Sequence, residues 1–200
     1  MTQILKRRAT VLLCVLAVAV AFSFYYVRTH PLVFNESFLE HAHCIKAATL
    51  SLRIYADDHH GRFPFHTNGY ADALLLVADA WLPSFTGPSY NAAVLERARQ
   101  TGQHVPESAC GRVYVQGLTD EDSPNIALLF DKVPSPGDHR HLFSRLHAPL
   151  VREVGMLDGS MRTIKESVWP AFAKQQIELL VAAGITREQA QMYYSEKAKR

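Results

Sequence analysis

The sequence contains few of the residues that break secondary structure or cross-link a chain: 10 glycines, 10 prolines and 3 cysteines in 200 residues. With 48% hydrophobic residues, the chain can bury a substantial core, and this composition excludes a disordered protein. The length suffices for one domain with an accessory element.

The sequence also lacks an excess of basic charge outside its N-terminus. Its formal net charge is +2, and four of its 21 Lys and Arg residues, Lys6, Arg7, Arg8 and Arg28, flank a single apolar segment. Without them, 17 basic residues stand against 19 acidic ones. A nucleic-acid-binding protein needs a basic surface, so we expect no nucleic acid among the partners.

Motifs of catalysis are missing as well. There is no G-x-S-x-G elbow, no glycine-rich phosphate loop and no H-E-x-x-H. Cys44 or Cys110 could form a Cys–His nucleophile with one of the 10 histidines, but no family signature surrounds either cysteine. We therefore expect a protein that is not an enzyme.

One long apolar run is present. Residues 9–27 contain 19 residues without a charge, which as a helix span about 28 Å, close to the hydrocarbon thickness of a bilayer. We predict a cytoplasmic basic N-terminus at 1–8 and a single transmembrane helix at 9–28. A cleaved signal peptide is the main alternative, with small residues at Ala17, Ala19 and Ala21, and a buried globular helix is another. Both the transmembrane helix and the cleaved signal peptide place the bulk of the chain outside the cytoplasm.

A second, amphipathic helix is predicted from Asn35 or Ser37 to about Gly61, which would end it in a left-handed turn. Apolar residues and one histidine recur there at spacings of three and four: Phe38, His41, Ile45, Ala48, Leu52 and Tyr55. Short helices are predicted next, one of them capped by Ser89 and ended by Gly102.

Beyond Cys110 the pattern changes to short runs rich in branched and aromatic residues, which predict strands. Asp158-Gly159 separates the last two runs and predicts a hairpin. Two helices follow, at about 168–183 and 187–199, with Thr186 and Gln189 as a capping box. We predict an α+β fold: a long N-terminal helix on a small antiparallel sheet, an exported domain at 35–166 and a C-terminal helical extension at 167–200.

Three groups of residues could bind metal. Asp57 to His60 contain two ligand types, but adjacent helical side chains diverge, so a solvated helix end is favoured. Asp120 and Asp122 lie in an acidic turn that could hold calcium, although the EF-hand spacing is absent. His139 and His141, close to Asp138, form a candidate transition-metal cluster. For the last two groups, a solvated loop without a metal is the favoured alternative.

The cysteines allow one disulfide in the exported part. Cys14 lies in the apolar run, whereas Cys44 and Cys110 lie beyond it, where oxidising conditions permit a bridge. Such a bridge would close a loop of 66 residues and stabilise the fold by about 4 kcal/mol in the chain-entropy model. Two buried thiols are the alternative.

The stretch from Tyr55 to Pro64, YADDHHGRFP, together with Cys44, Pro31 and Leu157-Asp158-Gly159, resembles the type IV pilin-like proteins. More closely, it is similar to bacterial type II secretion pseudopilin-like proteins that carry an H-X9-DG motif. The resemblance covers about residues 6–166. It implies a pilin-like domain on a helical anchor in the inner membrane, extending into the periplasm.

The chain departs from that family at its processing region. Ala9 stands where the peptidase normally requires glycine before the new N-terminus, here Thr10, and Cys14 stands in place of the glutamate. His147 is separated from Asp158 by ten residues instead of nine.

The resemblance implies a non-enzymatic component of a secretion, pilus-type or envelope assembly. Its partners would be the membrane and other pseudopilin or secretion-apparatus subunits, with no cofactor except, in some pseudopilins, calcium. The alternative is a stand-alone periplasmic metal- or ligand-binding protein with a pilin-derived fold, which the departures and the histidine count favour.

Overall fold

The computed structural model describes residues 37–77, 91–136 and 148–195, with the side chains of the first helix from Ile45 onward. The predicted segments at 1–8 and 9–28 lie outside these ranges. The described elements are α1 (Ser37–Asp58), α2 (Tyr70–Leu75), α3 (Ala92–Thr101), a 3-10 turn (Glu107–Ala109), β1 (Arg112–Tyr114), β2 (Ala127–Asp131), β3 (Ser135–Pro136), β4 (Leu150–Met156), β5 (Met161–Lys165), a second 3-10 turn (Glu166–Val168), α4 (Trp169–Ala182) and α5 (Arg187–Ser195).

Helix α1 buries one face, as the apolar periodicity predicts. Its buried side chains follow spacings of three and four: Ile45, Ala48, Thr49, Leu52 and Ala56. Tyr55, which was expected in this stripe, is half-buried.

The end of α1 differs in detail from the prediction. The left-handed conformation begins one residue earlier than expected, at His60 (φ 57°), and continues at Gly61 (φ 79°). The Gly61 N–H then donates to the Ala56 carbonyl at 2.8 Å. This is the 6→1 hydrogen bond of a Schellman motif, which satisfies a carbonyl group at the helix C-terminus.

The strands form one antiparallel sheet in the order β1-β2-β4-β3, with β5 also paired to β4. The β4–β5 hairpin turns at Asp158-Gly159 as predicted, with Gly159 at φ 84°. Thr49 of α1 packs directly against Gly155 of β4. Arg53 of α1 donates to the Leu157 carbonyl at 2.7 Å and ties the helix to the same hairpin.

The opposite face of the sheet is covered by the C-terminal helices. Phe130 follows Leu129, the partner of Gly155, so its side chain points away from α1. There it stacks on Tyr194 at 4.8 Å and lies 5.4 Å from Trp169, measured between ring centroids. All five residues of β2 are buried because both faces of this strand are covered.

Helix α4 is joined to the sheet by a buried amide. Gln176 accepts from the Ala127 N–H at 2.8 Å and donates to the Asn125 carbonyl at 3.0 Å. Leu180 of α4 and Ala190 of α5 belong to the same core as the sheet. The chain from Ser37 onward is one compact unit, and its α+β architecture confirms the predicted class.

One ion pair is buried at the sheet. Arg112 of β1 and Asp131 of β2 are direct cross-strand partners, and Arg112 Nε lies 2.9 Å from Asp131 Oδ1. Arg112 is 1% exposed and Asp131 3% exposed. Burying two charges is costly unless they are paired with good geometry, so each of them depends on the other.

Candidate functional site

The polar run from Asp57 to His60 ends helix α1 and leaves its four side chains exposed. The His59 ring stacks on Tyr55 with centroids 3.7 Å apart, and its Nδ1 lies 2.7 Å from the Tyr55 carbonyl oxygen. These contacts stay within the last turn of the helix. The contacts of His59 therefore belong to the helix end itself, and the solvated helix end remains the favoured prediction for this run.

The acidic turn at Asp120 and Asp122, the calcium candidate, packs against the end of α1. Asp122 Oδ2 accepts from the Thr119 N–H at 2.7 Å and from its hydroxyl at 3.1 Å. The Asp120 N–H donates to the Gly61 carbonyl at 2.8 Å. The Asp120 carboxyl faces Gly61 so closely that a Cβ there would overlap it.

Within the described ranges, no three His, Cys, Asp or Glu side chains are grouped to hold a metal ion. His139 and His141 lie outside those ranges. The calcium and transition-metal sites remain predictions.

The remaining predicted residues are only partly described. Cys110 is buried, at 3% exposure, whereas the Cys44 side chain lies outside the described side chains. The disulfide between them therefore remains a prediction. Ala9, Thr10 and Cys14 of the processing region also lie outside the described residues.

A group of three side chains that the sequence did not reveal lies at α2: Asp72, His66 and His104, called here the Asp72 cluster. Asp72 is in the first turn of α2 and is 7% exposed. Its Oδ1 accepts from the Val105 N–H at 2.9 Å. Its Oδ2 lies 2.5 Å from His104 Nδ1 and 3.8 Å from His66 Nδ1.

The carboxyl of the Asp72 cluster is stabilised as an anion. Burial raises the pKa of Asp72, but hydrogen bonds from His104 and from the Val105 N–H, with the charges of both histidines, outweigh burial. The net result is a pKa below its usual value of 3.8. Asp72 is thus ionised at neutral pH and presents a buried negative charge to both imidazoles.

Both imidazoles of the cluster are accessible to solvent, whereas the carboxylate between them is not. The His104 side chain is 49% exposed and His66 is 37% exposed, while Asp72 beneath them is shielded. A shielded carboxylate that bonds a half-exposed imidazole fixes the orientation of the ring. The cluster therefore places two solvent-accessible imidazoles against one ionised carboxylate.

Sequence reasoning missed this cluster because nothing local marks it. Asp72 lies six positions from His66 and 32 from His104, and it sits within the apolar stretch YADALLLV. An acidic residue in a helical pattern is usually solvated. Only the fold of α2 onto the Val105 loop turns this one inward.

A second feature is the outer face of α1. Leu50 and Ile54 are 55% and 53% exposed. They are four residues apart and therefore share one side of the helix, opposite the side that packs on the sheet. Scattered exposed apolar residues are ordinary, but here two lie on adjacent turns of one helix.

None of the helices that the structure describes is long and apolar enough to cross a membrane, and the predicted span at 9–28 lies outside them. Comparison with protein-family models, with curated proteins and with solved structures finds no match to this chain.

Proposed function

We propose that this protein is a non-enzymatic, membrane-anchored, pseudopilin-like component of a secretion, pilus-type or envelope assembly. Residues 9–28 hold it in the inner membrane, and the body from Ser37 onward extends into the periplasm. It works by binding other subunits, and helix α1 carries the contact.

The observation that carries this proposal is the two-sided character of α1. One side packs on β4 at the contact between Thr49 and Gly155, and the other side leaves Leu50 and Ile54 half exposed. Apolar side chains on the solvent side of a helix stabilise the protein through burial only if a partner covers them.

The position of α1 in the chain supports the same reading. The helix follows the uncharged run at residues 9–27 in sequence, and only a short segment of chain separates it from the proposed anchor. Neighbouring subunits anchored in the same bilayer are the partners within reach.

Photo-cross-linking tests the proposal directly. A photoreactive side chain is placed at Leu50 or Ile54 in the full chain, and the chain is irradiated in its native membrane. We expect discrete adducts with a second membrane-anchored subunit. Matched controls carry the same side chain at Val168 and Met192, which are also exposed apolar positions, at 51% and 67%, but lie outside α1.

The controls should give no discrete adduct. If positions 50 and 54 give none either, or if all four positions give the same products, α1 is not a subunit contact and the proposal fails. Replacing Ile54 with glutamate should remove the adduct formed from position 50, because an unpaired charge in an apolar contact is costly.

A further inference from the structure

The Asp72 cluster has one nitrogen with two competing uses. His66 Nδ1 lies 3.2 Å from the Asn68 backbone nitrogen, whose N–H donates to it, and 3.8 Å from Asp72 Oδ2. An imidazole nitrogen that accepts a hydrogen bond carries no proton, whereas one that bonds a carboxylate must carry one. His66 Nδ1 therefore cannot serve both partners at once.

We propose that His66, His104 and Asp72 form a proton-operated clasp that fastens helix α2 to the Val105 loop in mildly acidic medium. At neutral pH, His66 Nδ1 accepts from the Asn68 N–H and holds the turn at 66–69. On protonation, Nδ1 releases Asn68 and donates to Asp72 Oδ2. Protonated His104 at the same time becomes a full ion-pair partner of the carboxylate.

The geometry favours this direction of change. Asp72 is held by the Val105 N–H at 2.9 Å and is nearly enclosed, so its attraction to a cation is screened less than on the open surface. The hydrogen bonds to Asp72 lower the pKa of its carboxyl below the usual value, so the carboxylate stays charged in mildly acidic medium. The carboxylate is therefore available to a protonated imidazole in that medium.

Two further charged groups lie near the start of α2. Glu107 lies on the 3-10 turn beside α2, and its Oε1 accepts from the Tyr70 N–H at 3.2 Å. Lys132, after β2, donates to the Glu107 carbonyl at 2.6 Å and lies 5.4 Å from the centroid of the Tyr70 ring.

The clasp connects three segments: the loop at 63–69, helix α2 and the loop at 102–106. Its closure would hold the start and the end of residues 70–105 together. It does not depend on the proposed function, but a domain outside the cytoplasm would meet the pH changes to which such a clasp responds.

Hydrogen–deuterium exchange of the full chain in detergent micelles tests the clasp, with fragmentation that resolves single amides and correction for intrinsic rates. As pH falls from 8 to 5.5, protection of the Val105 amide should rise about tenfold. This is the expected ratio between the strength of a hydrogen bond to Asp72 from a charged imidazole and from a neutral one. Protection of the Asn68 amide should fall over the same range. The opposite signs are the signature of the switch.

Three variants locate the effect. Asp72→Asn should abolish the rise at Val105, because Asn keeps an acceptor for that N–H without the charge. His66→Gln should abolish the fall at Asn68 while His104 preserves part of the rise. His60→Asn, which replaces an exposed histidine at the end of α1, should change neither response.

A flat profile in the wild-type chain overturns the proposal, as does a response that survives Asp72→Asn or a change of the same sign at both amides. If Asp72→Asn does not fold, His66→Gln decides alone, since His66 is partly exposed and its replacement leaves the buried carboxyl in place. All samples contain a chelator, so bound metal does not contribute.

Discussion

The side chain of Thr49 on α1 occupies the space that a Cβ atom on Gly155 of β4 would need. Thr49 is fully buried, and its hydroxyl donates to the Ile45 carbonyl at 2.7 Å. Glycine at position 155 therefore sets how closely the helix approaches the sheet, and the apolar face of α1 is buried because of this close approach.

Gly155→Ala should lower the free energy of unfolding by about 1–3 kcal/mol, the usual cost of overpacking a core. Urea denaturation of the full chain in micelles measures it. Gly117→Ala is the matched control: no other atom lies near its Cβ position, but its φ is +83°, so it reports backbone strain of about 1–2 kcal/mol without crowding. Thr49→Ala in the Gly155→Ala background should recover part of the loss. Strictly additive losses in this double variant would contradict the contact.

Two adjacent tyrosines of α5 should respond in opposite directions to loss of their hydroxyl groups. The Tyr194 hydroxyl is buried without a hydrogen-bond partner among the residues that the structure describes, and burial raises the pKa of Tyr194 far above its usual value. Tyr194→Phe should therefore stabilise the protein by about 1 kcal/mol. Tyr193 accepts from the Gln116 N–H at 3.3 Å, so Tyr193→Phe should destabilise it by about 1 kcal/mol.

Thermal or urea unfolding of the two variants side by side measures the difference. Each variant is the control of the other, because the substitution, the helix and the aromatic surroundings are shared. Equal effects of the two substitutions, or the reverse order, would contradict the hydrogen-bond assignment.

Glu153 on β4 should make the protein less stable as pH rises. Burial raises the pKa of Glu153 above its usual 4.5, and the nearby Asp131 adds to the rise, while the hydrogen bond from Thr163 and the charge of Arg112 oppose it. A carboxyl whose pKa is raised by folding favours the folded state below pH 4.5, and this contribution is lost as pH rises through the folded-state pKa.

Glu153→Gln should therefore raise the free energy of unfolding at pH 7 and leave it nearly unchanged at pH 4. Urea titrations at both pH values measure the effect. Glu121→Gln, on the exposed acidic turn, is the control and should change stability little at either pH. A gain for Glu153→Gln that is as large at pH 4 as at pH 7 would refute the explanation.

Features with a local physical cause were predictable from the sequence. The hairpin at Asp158-Gly159, the left-handed end of α3 at Gly102 (φ 64°) and the Thr186 cap of α5, which accepts from the Gln189 N–H at 3.3 Å, follow from a few adjacent residues. All three are confirmed.

Features that depend on the tertiary fold were not predictable. The Asp72 cluster joins residues up to 38 positions apart in sequence, and β3 consists of two residues, Ser135–Pro136, which pair with β4. The cap of α3 was wrong by two residues: Asn91, not Ser89, accepts from the Val94 N–H at 3.2 Å. Both residue types cap helices well, so propensity alone could not choose between them.

The most direct test of the proposed membrane-anchored role is the intact mass of the protein extracted from its native membrane. We predict that the chain resists alkaline extraction, is released by detergent and retains residues 10–28, with its N-terminus at Met1 or, after peptidase processing, at Thr10. A chain recovered without detergent that begins at Val20 or Phe22 would show that the apolar run is a cleaved signal peptide. That result would contradict the anchor and, with it, the assembly role proposed for α1.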